Sequence, residues 1–506
     1  MPNFGKRGSD MRRCLVATLL LLFIVHSAKS QQPLSPWDFG LRDAASDSAR
    51  FWVLWNTHKE AVAEGTTVTY KGIDTLDIEI PTDAKSIPLV HYNDFGNVVI
   101  RVKSTTKGLF LFSLCPPMEQ IEGHNDTLCH AIDGGDFSTL GISDSYWLVE
   151  VTDSTPWVRN REDHTYGHYR KELLRVRGLR SSDTPVLPYQ GTASRPVIRG
   201  RRIEEEKVFF GNITLLRDSA STARVYLTDI ENCVGVTMKN VTVVTPESTL
   251  NDDCIIKIYN CADVWIDSVT LMGSYSHKDH SGYGLLMDNL RDTRVSHLFA
   301  RSEWGIFGTN NMCNTTMEDC DFDRFDIHCY GRDVAFKNCR QQNSYNQFSS
   351  VVGNISFDNC RFDNFTPVLI EDSYNAYTHF TLSMKRCDWH LTEDNHTLMK
   401  AGRINPAMAG REELDNNVSL PDVEIDSITL GYDKEVRELM LFQYTGRKQN
   451  APIAGIQHII LHNVIFEGAK PLNIEIANKK VLLHNMIQVE IPSKKGLIVK
   501  KNINKF

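Results

Sequence analysis

Two stretches of this chain gather side chains able to move protons near neutral pH. His277, Lys278, Asp279 and His280 stand in a row inside "GSYSHKDHSGYG", flanked by Tyr275 and Tyr283. Further on comes "RFDIHCYGRD". If Phe325, Ile327 and Cys329 face inward there, then Asp326, His328 and Tyr330 face outward together, between Arg324 and Arg332. Histidine titrates near neutrality, and Lys or Tyr approaches it when burial or a neighbouring charge shifts its pKa. Such a set suits general acid–base work. A single His or Tyr is more often a satisfied surface residue; the joint occurrence is what singles these stretches out.

Neighbouring segments add to the set. "NDDCIIKI" carries Asp252, Asp253 and an outward Lys257. "SEWGIFGTNN" carries Glu303, Trp304 and Asn310, and "LIEDSYNAY" carries Glu371, Asp372 and Tyr374.

The elements that must position these groups are read from a repeat. A pattern of alternating apolar residues, a polar residue, then alternating apolar residues recurs as "VFFGNITL", "VTMKNVTV", "VWIDSVTL", "TTMEDCDF", "ISFDNCRF" and "VEIDSITL". The apolar residue after the polar one marks the register: Ile213, Val241, Val269, Leu298, Cys320, Cys339, Cys360, Cys387, Ile428, Val464 and Met486. Each unit reads as two short strands joined by a one-residue bend, with a third strand before it, such as "CIIKI" or "GLLM". Asn212, Asn240, Asn338, Asn359, Asn463 and Asn485 occupy bends, because Asn tolerates the left-handed conformation and stacked amides bond one another. The sequons at Asn212 and Asn240 follow from that pattern without a glycan. Three short strands per coil predict a parallel β-helix. Cys320, Cys339, Cys360 and Cys387 then form an inward stack of reduced thiols rather than a metal or catalytic site.

A solenoid must cover its open end. Residues 46–64 read as an amphipathic helix with Ser46 or Asp47 as N-cap, Gly65 as stop, and Phe51, Leu54, Trp55 and Val62 on one face. Residues 104–160 lose the coil register, and a Cys115–Cys129 disulfide fits there. Before this, Arg12 and Arg13 precede "LVATLLLLFIV", and "SAKS" offers a small-residue cleavage site, so residues 1–30 are expected to be a signal peptide. The expected destination is periplasmic or secreted. No later stretch is long and apolar enough for a membrane span. The expected organisation is a leader over 1–30, an N-terminal cap with irregular first coils over 31–190, and a β-helix over 191–506 continuous with it.

The formal net charge is −8, and residues 1–30 hold five basic side chains and one acid, leaving −12 for the remainder. That balance argues against a nucleic-acid partner. Between Arg159 and Arg202 the sign reverses, with eleven Arg or Lys against four acids. This segment is either a solvated surface or a contact for an anionic ligand.

The repeat resembles the pectate-lyase-like superfamily of right-handed parallel β-helices over roughly residues 195–490, and the chain resembles secreted polysaccharide lyases of the bacterial, Bacteroidetes type. The resemblance implies an all-β solenoid with an N-terminal capping helix, acting on a long glycan laid along its strands. "NDDCIIKI" is similar to the Asp-Asp strand of polygalacturonases, which implies acid roles for Asp252 and Asp253; the Gly-His-Gly and Arg-Ile-Lys strands of that family have no counterpart here. Two mechanisms compete. A lyase acting on a uronic-acid polymer, of glycosaminoglycan or pectin type, needs its substrate carboxylate neutralised, a base for the C5 proton and an acid for the leaving oxygen. His280 or Lys278 is the expected base and Tyr330 or His328 the proton donor, with Arg332 and Asn310 on the carboxylate. His277, Tyr283, Trp304, Asp326, Arg324 and Lys257 are expected to bind substrate. No cofactor is expected, with Ca2+ the one ion left open. The alternatives are a glycoside hydrolase, which needs two carboxylates at a set separation, and a non-catalytic glycan-binding β-helix.

Overall fold

The computed structural model describes residues 32–105, 108–153, 170–186, 188–191, 194–245, 254–273, 283–301, 307–328, 330–342, 345–349, 351–370, 379–394, 396–401, 421–444, 456–468, 473–477, 483–489 and 498–500. Alternating short strands dominate, and 29 of them join one continuous ladder system. Its described pairings are all parallel and link each coil to the next: Val208–Arg217 pairs with Val236–Thr245, which pairs with Cys254–Gly273, which pairs with Tyr283–Ser296. The architecture is a right-handed parallel β-helix.

The predicted register marks stack as expected: Ile213 opposite Val241, Val241 opposite Val269, and Ile428 opposite Val464. Among the predicted marks, the last one slips. Met486 pairs with Ile459 rather than Val464, through an irregularity between Ile459 and Ile460.

Each coil turns at left-handed residues that stack from coil to coil. Asn212, Asn240, Asn338, Asn359 and Asn463 all have positive φ. The Asn240 side chain donates to Asn212 Oδ1 at 2.8 Å, and Asn359 donates to Asn338 Oδ1 at 2.8 Å. A second amide stack runs through Asn232, Asn260 and Asn289 at another corner. A third corner carries Asp263, Asp292, Asn314 and Asp333, with Gly235 (φ 69°) before them. There a Cβ on Gly235 would come within 1.7 Å of the Glu206 carbonyl oxygen, so only glycine fits.

Inward residues of the three faces make one elongated core that includes Cys320, Cys339, Cys360 and Cys387. All four are buried and unbridged. Hydrogen bonding to Cys320 and Cys360, together with burial, pushes the Cys339 thiol well above its ordinary range.

The N-terminal end is covered by the helix Asp47–Glu64, capped by Ser46 Oγ accepting from the Ala49 N–H at 3.1 Å and stopped by Gly65 in the left-handed region. Phe51 and Leu54 are buried as expected, but Val62 is 46% exposed; Thr57, His58 and Ala61 complete the buried side. His58 lies 2.7 Å from the Tyr70 hydroxyl, and burial lowers its pKa to about 4.

The domain boundary differs from expectation. Parallel coils begin at Thr75–Glu79 and include "LFLFSL" at Leu109–Leu114. Between that strand and Val208 the chain leaves the solenoid to build a separate antiparallel sheet of Glu119–Ile121, Tyr146–Asp153, Arg170–Arg177 and Pro196–Arg202. The helix Asn125–Gly134 packs on it around a second core with Ile132, Val149, Leu174 and Ile198. Leu148 and Leu173 turn the other way, onto Val234 and Ala262 of the coils. Alternation along one strand supplies both contacts, because period 2 gives a sheet two faces. The expected Cys115–Cys129 bridge is absent: both thiols are free. Cys115 sits against the Asp229 carbonyl of a coil, whereas Cys129 belongs to the core of the inserted sheet.

Candidate functional site

One face of the solenoid carries the outward ladder that the sequence singles out. Asp229 stands opposite Lys257, Lys257 opposite Leu286, Leu286 opposite Gly308, Gly308 opposite Asp326, and Asp326 opposite Gln347. Two residues further along each strand runs a companion row of Glu231, Tyr259, Asp288 and Asn310. Coils are about 4.8 Å apart, so each row is a continuous track.

The acid–base cluster lies on the strand Phe325–Ile327 and the residues around it. Phe325 and Ile327 point into the core, as alternation requires. Asp326 points outward yet has no exposed surface, because Arg324 and Gln347 close over it. Arg324 Nε donates to Asp326 Oδ1 at 2.6 Å, and its Nη2 donates to Gln347 Oε1 at 3.2 Å. The guanidinium lies 4.1 Å from the centre of the Tyr345 ring. Burial opposes its charge, but Asp326 and Tyr345 raise the Arg324 pKa above its ordinary value. His328 Nε2 sits 3.6 Å from Asp326 Oδ2 and 3.5 Å from the Tyr283 hydroxyl. A hydroxyl and an imidazole thus meet beside the strand ladder, backed by a carboxylate that an arginine holds in place.

Other expected site residues go elsewhere. Tyr330 does not continue the outward row: it takes φ 57° at the corner where Asn260, Asn289 and Asn311 stand in earlier coils, and it is buried. The strand ends at Ile327, so alternation no longer applies three residues later. Arg332 is committed to the inserted segment, donating to Thr184 Oγ1 and to the Pro185 and Val186 carbonyls at 2.8–2.9 Å. That removes it from the carboxylate-holding role. Asn310 is on the ladder, buried, in the strand Phe307–Asn310. Lys257 donates to Asp229 at 3.2 Å and to Glu231. His277, Lys278, Asp279, His280 and Trp304 lie outside the described residues, as do Asp252, Asp253, Glu303, Glu371, Asp372 and Tyr374.

The structure adds groups that sequence reasoning missed. Tyr259 and Asp288 follow Lys257 and Leu286 by two residues, so the same alternation would have found them. Lys171 and Glu150 come from the inserted sheet, and nothing in their local sequence points to the ladder. Lys171 Nζ donates to the Tyr259 hydroxyl at 3.0 Å and lies 3.7 Å from Asp288, and the Tyr259 hydroxyl donates to Glu150 at 2.9 Å. Burial opposes the Lys171 charge, but Asp288 and Tyr259 raise its pKa.

The basic segment has a structural task. Arg175 binds Asp183 within its own module and reaches Asp263 at 2.5 Å and Asp292 on the acidic corner of the coils. In return Arg291 of the coils donates to the Leu173 and Thr184 carbonyls at 2.6 and 3.0 Å. The charge reversal seen in sequence thus docks the inserted sheet beside the ladder.

Among the described residues, one group of metal-ligand type converges within 4.8 Å: Cys115, Asp229 and Glu231. The Lys257 ammonium binds both carboxylates and supplies there the positive charge that an ion would bring.

A right-handed parallel β-helix with a side module is the class this fold defines. No protein-family model and no curated protein matches the sequence. Solved structures similar to it include the tailspike gp61 of Pseudomonas phage phi297, at 10% identity and TM-score 0.53, covering 90% of this chain and 84% of that one. The tailspike gp49 of Pseudomonas phage LKA1 matches at 12% and 0.51, over 88% and 82%. The gp54 tailspike of Acinetobacter baumannii bacteriophage AP22, solved with A. baumannii capsular saccharide, matches at 11% and 0.50, over 90% and 79%. At such identities the likeness establishes the fold alone. No described helix is long and apolar enough to cross a membrane.

Proposed function

We propose that this protein is an exported polysaccharide lyase that cleaves a uronic-acid-containing glycan by β-elimination in the groove along the His328 ladder. The Tyr283–His328 pair, backed by Asp326 and Arg324, carries this reading. Elimination needs one group to take the C5 proton and another to protonate the leaving O4. His328 is the base in this proposal and Tyr283 the acid. Asp326 orients the imidazole and stabilises it when protonated, and Arg324 holds that carboxylate in its buried position. Lys278 and His280, expected from sequence as the base, are assigned here instead to neutralising the substrate carboxylate, because they lie on the segment that runs into Tyr283. The saccharide bound by the AP22 tailspike is consistent with a polysaccharide ligand for this fold.

Charge pairing on the ladder favours elimination over hydrolysis. Asp326 is matched by Arg324, Asp288 by Lys171, and both Asp229 and Glu231 by Lys257. One observation favours the hydrolase reading instead. Burial raises the Asp229 pKa to about 6, with Lys257 pulling it down and Glu231 pushing it up, so Asp229 beside Glu231 has the pKa of a general acid.

Incubation with pectin-type and glycosaminoglycan polymers separates the two. Elimination leaves a C4–C5 double bond that absorbs in the ultraviolet, and His328→Ala abolishes it. New reducing ends without that absorbance, lost in Asp229→Asn but kept in His328→Ala, would establish hydrolysis at the other centre.

A further inference from the structure

A second feature lies on a different face of the solenoid, beyond the corners at Asn260 and Asp263. Tyr92 stands opposite Phe209, Phe209 opposite Thr237, Thr237 opposite Trp265, and Trp265 opposite Arg294. Outward positions of a solvated strand ordinarily carry polar residues, yet three of these five are aromatic. Tyr92 is 52% exposed and Trp265 40%. The Tyr92 and Phe209 rings stack at 5.0 Å with 21° between their planes. They form a fin between two surface grooves: Tyr92 lines one of about 500 Å³ and, with Phe209, a second of about 510 Å³. Thr237 is small and lies between Phe209 and Trp265, so those two aromatics flank a gap of two coil steps, about 10 Å. The Trp265 ring is fixed by its Nε1–H donating to Ser296 Oγ at 3.2 Å, with Lys239 beside it.

We propose that this stripe is a glycan-binding surface for a neutral, hydroxyl-rich oligosaccharide, separate from the groove at His328. Pyranose rings present flat C–H faces that pack on aromatic rings, and their hydroxyls need hydrogen-bonding groups at the rim. The rim supplies both signs: Asp74 and Lys71 in one groove, Glu206, Lys207 and Asp263 in the other. The lining acids Asp74, Asp94, Glu206 and Asp263 are balanced by Lys71, Lys207 and the paired Arg177 and Arg175, so the rim exerts no strong pull on a polyanion. Thr237 and the charged rim break the apolar surface into single rings, which suits a sugar chain better than the continuous apolar centre of a protein interface. A stripe running along the solenoid axis fits a polymer in the same direction.

The test is native affinity electrophoresis of the intact protein in gels containing xylan, galactomannan, mixed-linkage β-glucan or dextran. At least one of these retards the wild type. Tyr92→Ala with Trp265→Ala weakens that retardation at least about tenfold, or 1.4 kcal/mol, whereas Trp265→Phe keeps most of it. His328→Ala leaves it unchanged, which separates this surface from the proposed reaction. Both single alanine variants are measured as well, with circular dichroism melting to verify the fold. Absence of retardation in all four gels, or full retardation of the double variant, overturns the proposal. So does a wild-type multimer, by light scattering, that the double variant dissociates without any change in glycan mobility: the stripe would then join copies of this chain.

Discussion

The Tyr283 hydroxyl lies 3.5 Å from His328 Nε2, although 45 residues separate them and they belong to coils two steps apart. The solenoid turns a long sequence separation into a side-chain contact. It places a phenol and an imidazole, two groups of very different acidity, side by side.

If these two groups share the proton transfers, Tyr283→Phe and His328→Ala each lower the elimination rate by about 10²–10⁴. The double variant falls little below the worse single one, because groups acting as a unit are not additive. Ultraviolet absorbance of the unsaturated product gives the rates. A fall that merely tracks lost folding, seen by circular dichroism, would remove both residues from the mechanism.

Asp326 and Arg324 are a buried pair, so removing one partner leaves a charge without its counterion. Asp326→Ala and Arg324→Ala each cost about 3–5 kcal/mol. Arg324→Met with Asp326→Leu restores much of the loss, because two apolar side chains need no desolvated charge to be matched. Urea denaturation gives the three values. The apolar pair regains stability but not activity, since the imidazole loses its carboxylate.

Asp229 makes stability depend on pH in a direction opposite to most carboxylates. Its native pKa is about 6 against an ordinary 3.8. Between those values the native state binds a proton that the unfolded chain does not. The contribution therefore grows as pH falls through 6 towards 3.8, and disappears as pH rises above 6. Comparing melting of wild type and Asp229→Asn across pH 4–7 reveals a differential on the order of 1–3 kcal/mol. A flat difference would show that Lys257 keeps Asp229 ionised throughout.

Arg175 joins Asp183 of the inserted sheet to Asp263 and Asp292 of the coils. Arg175→Ala leaves the two corner aspartates facing each other without their cation. The expected cost is about 2 kcal/mol, between the limits for exposed and buried pairs. Hydrogen exchange localises it: amides of Arg170–Arg177 lose protection while those of Val236–Thr245 keep theirs. Equal loss in both segments would show that module and solenoid unfold together.

Much of the fold is legible in the sequence because a solenoid repeats its constraints. Alternation fixes which side chains face inward, and a left-handed bend selects Asn at Asn212, Asn240, Asn338 and Asn359. The cysteine stack follows from the same register. The last coil escaped because its copy is weak: Met486 fits the pattern yet pairs with Ile459. Tyr330 escaped because alternation was carried past the end of its strand, into a corner where the backbone turns.

The sequence by itself determined the coil, its core and the outward row that carries Asp326 and His328, since those depend on period and on residues adjacent in the chain. Only the tertiary structure decided which outward groups act together. It took Arg332 away to hold Thr184, brought Lys171 and Glu150 to Tyr259 from a separate sheet, and folded Arg324 back over Asp326. Those contacts span up to 148 residues and rest on how one module docks against another. Local periodicity carries no information about that docking.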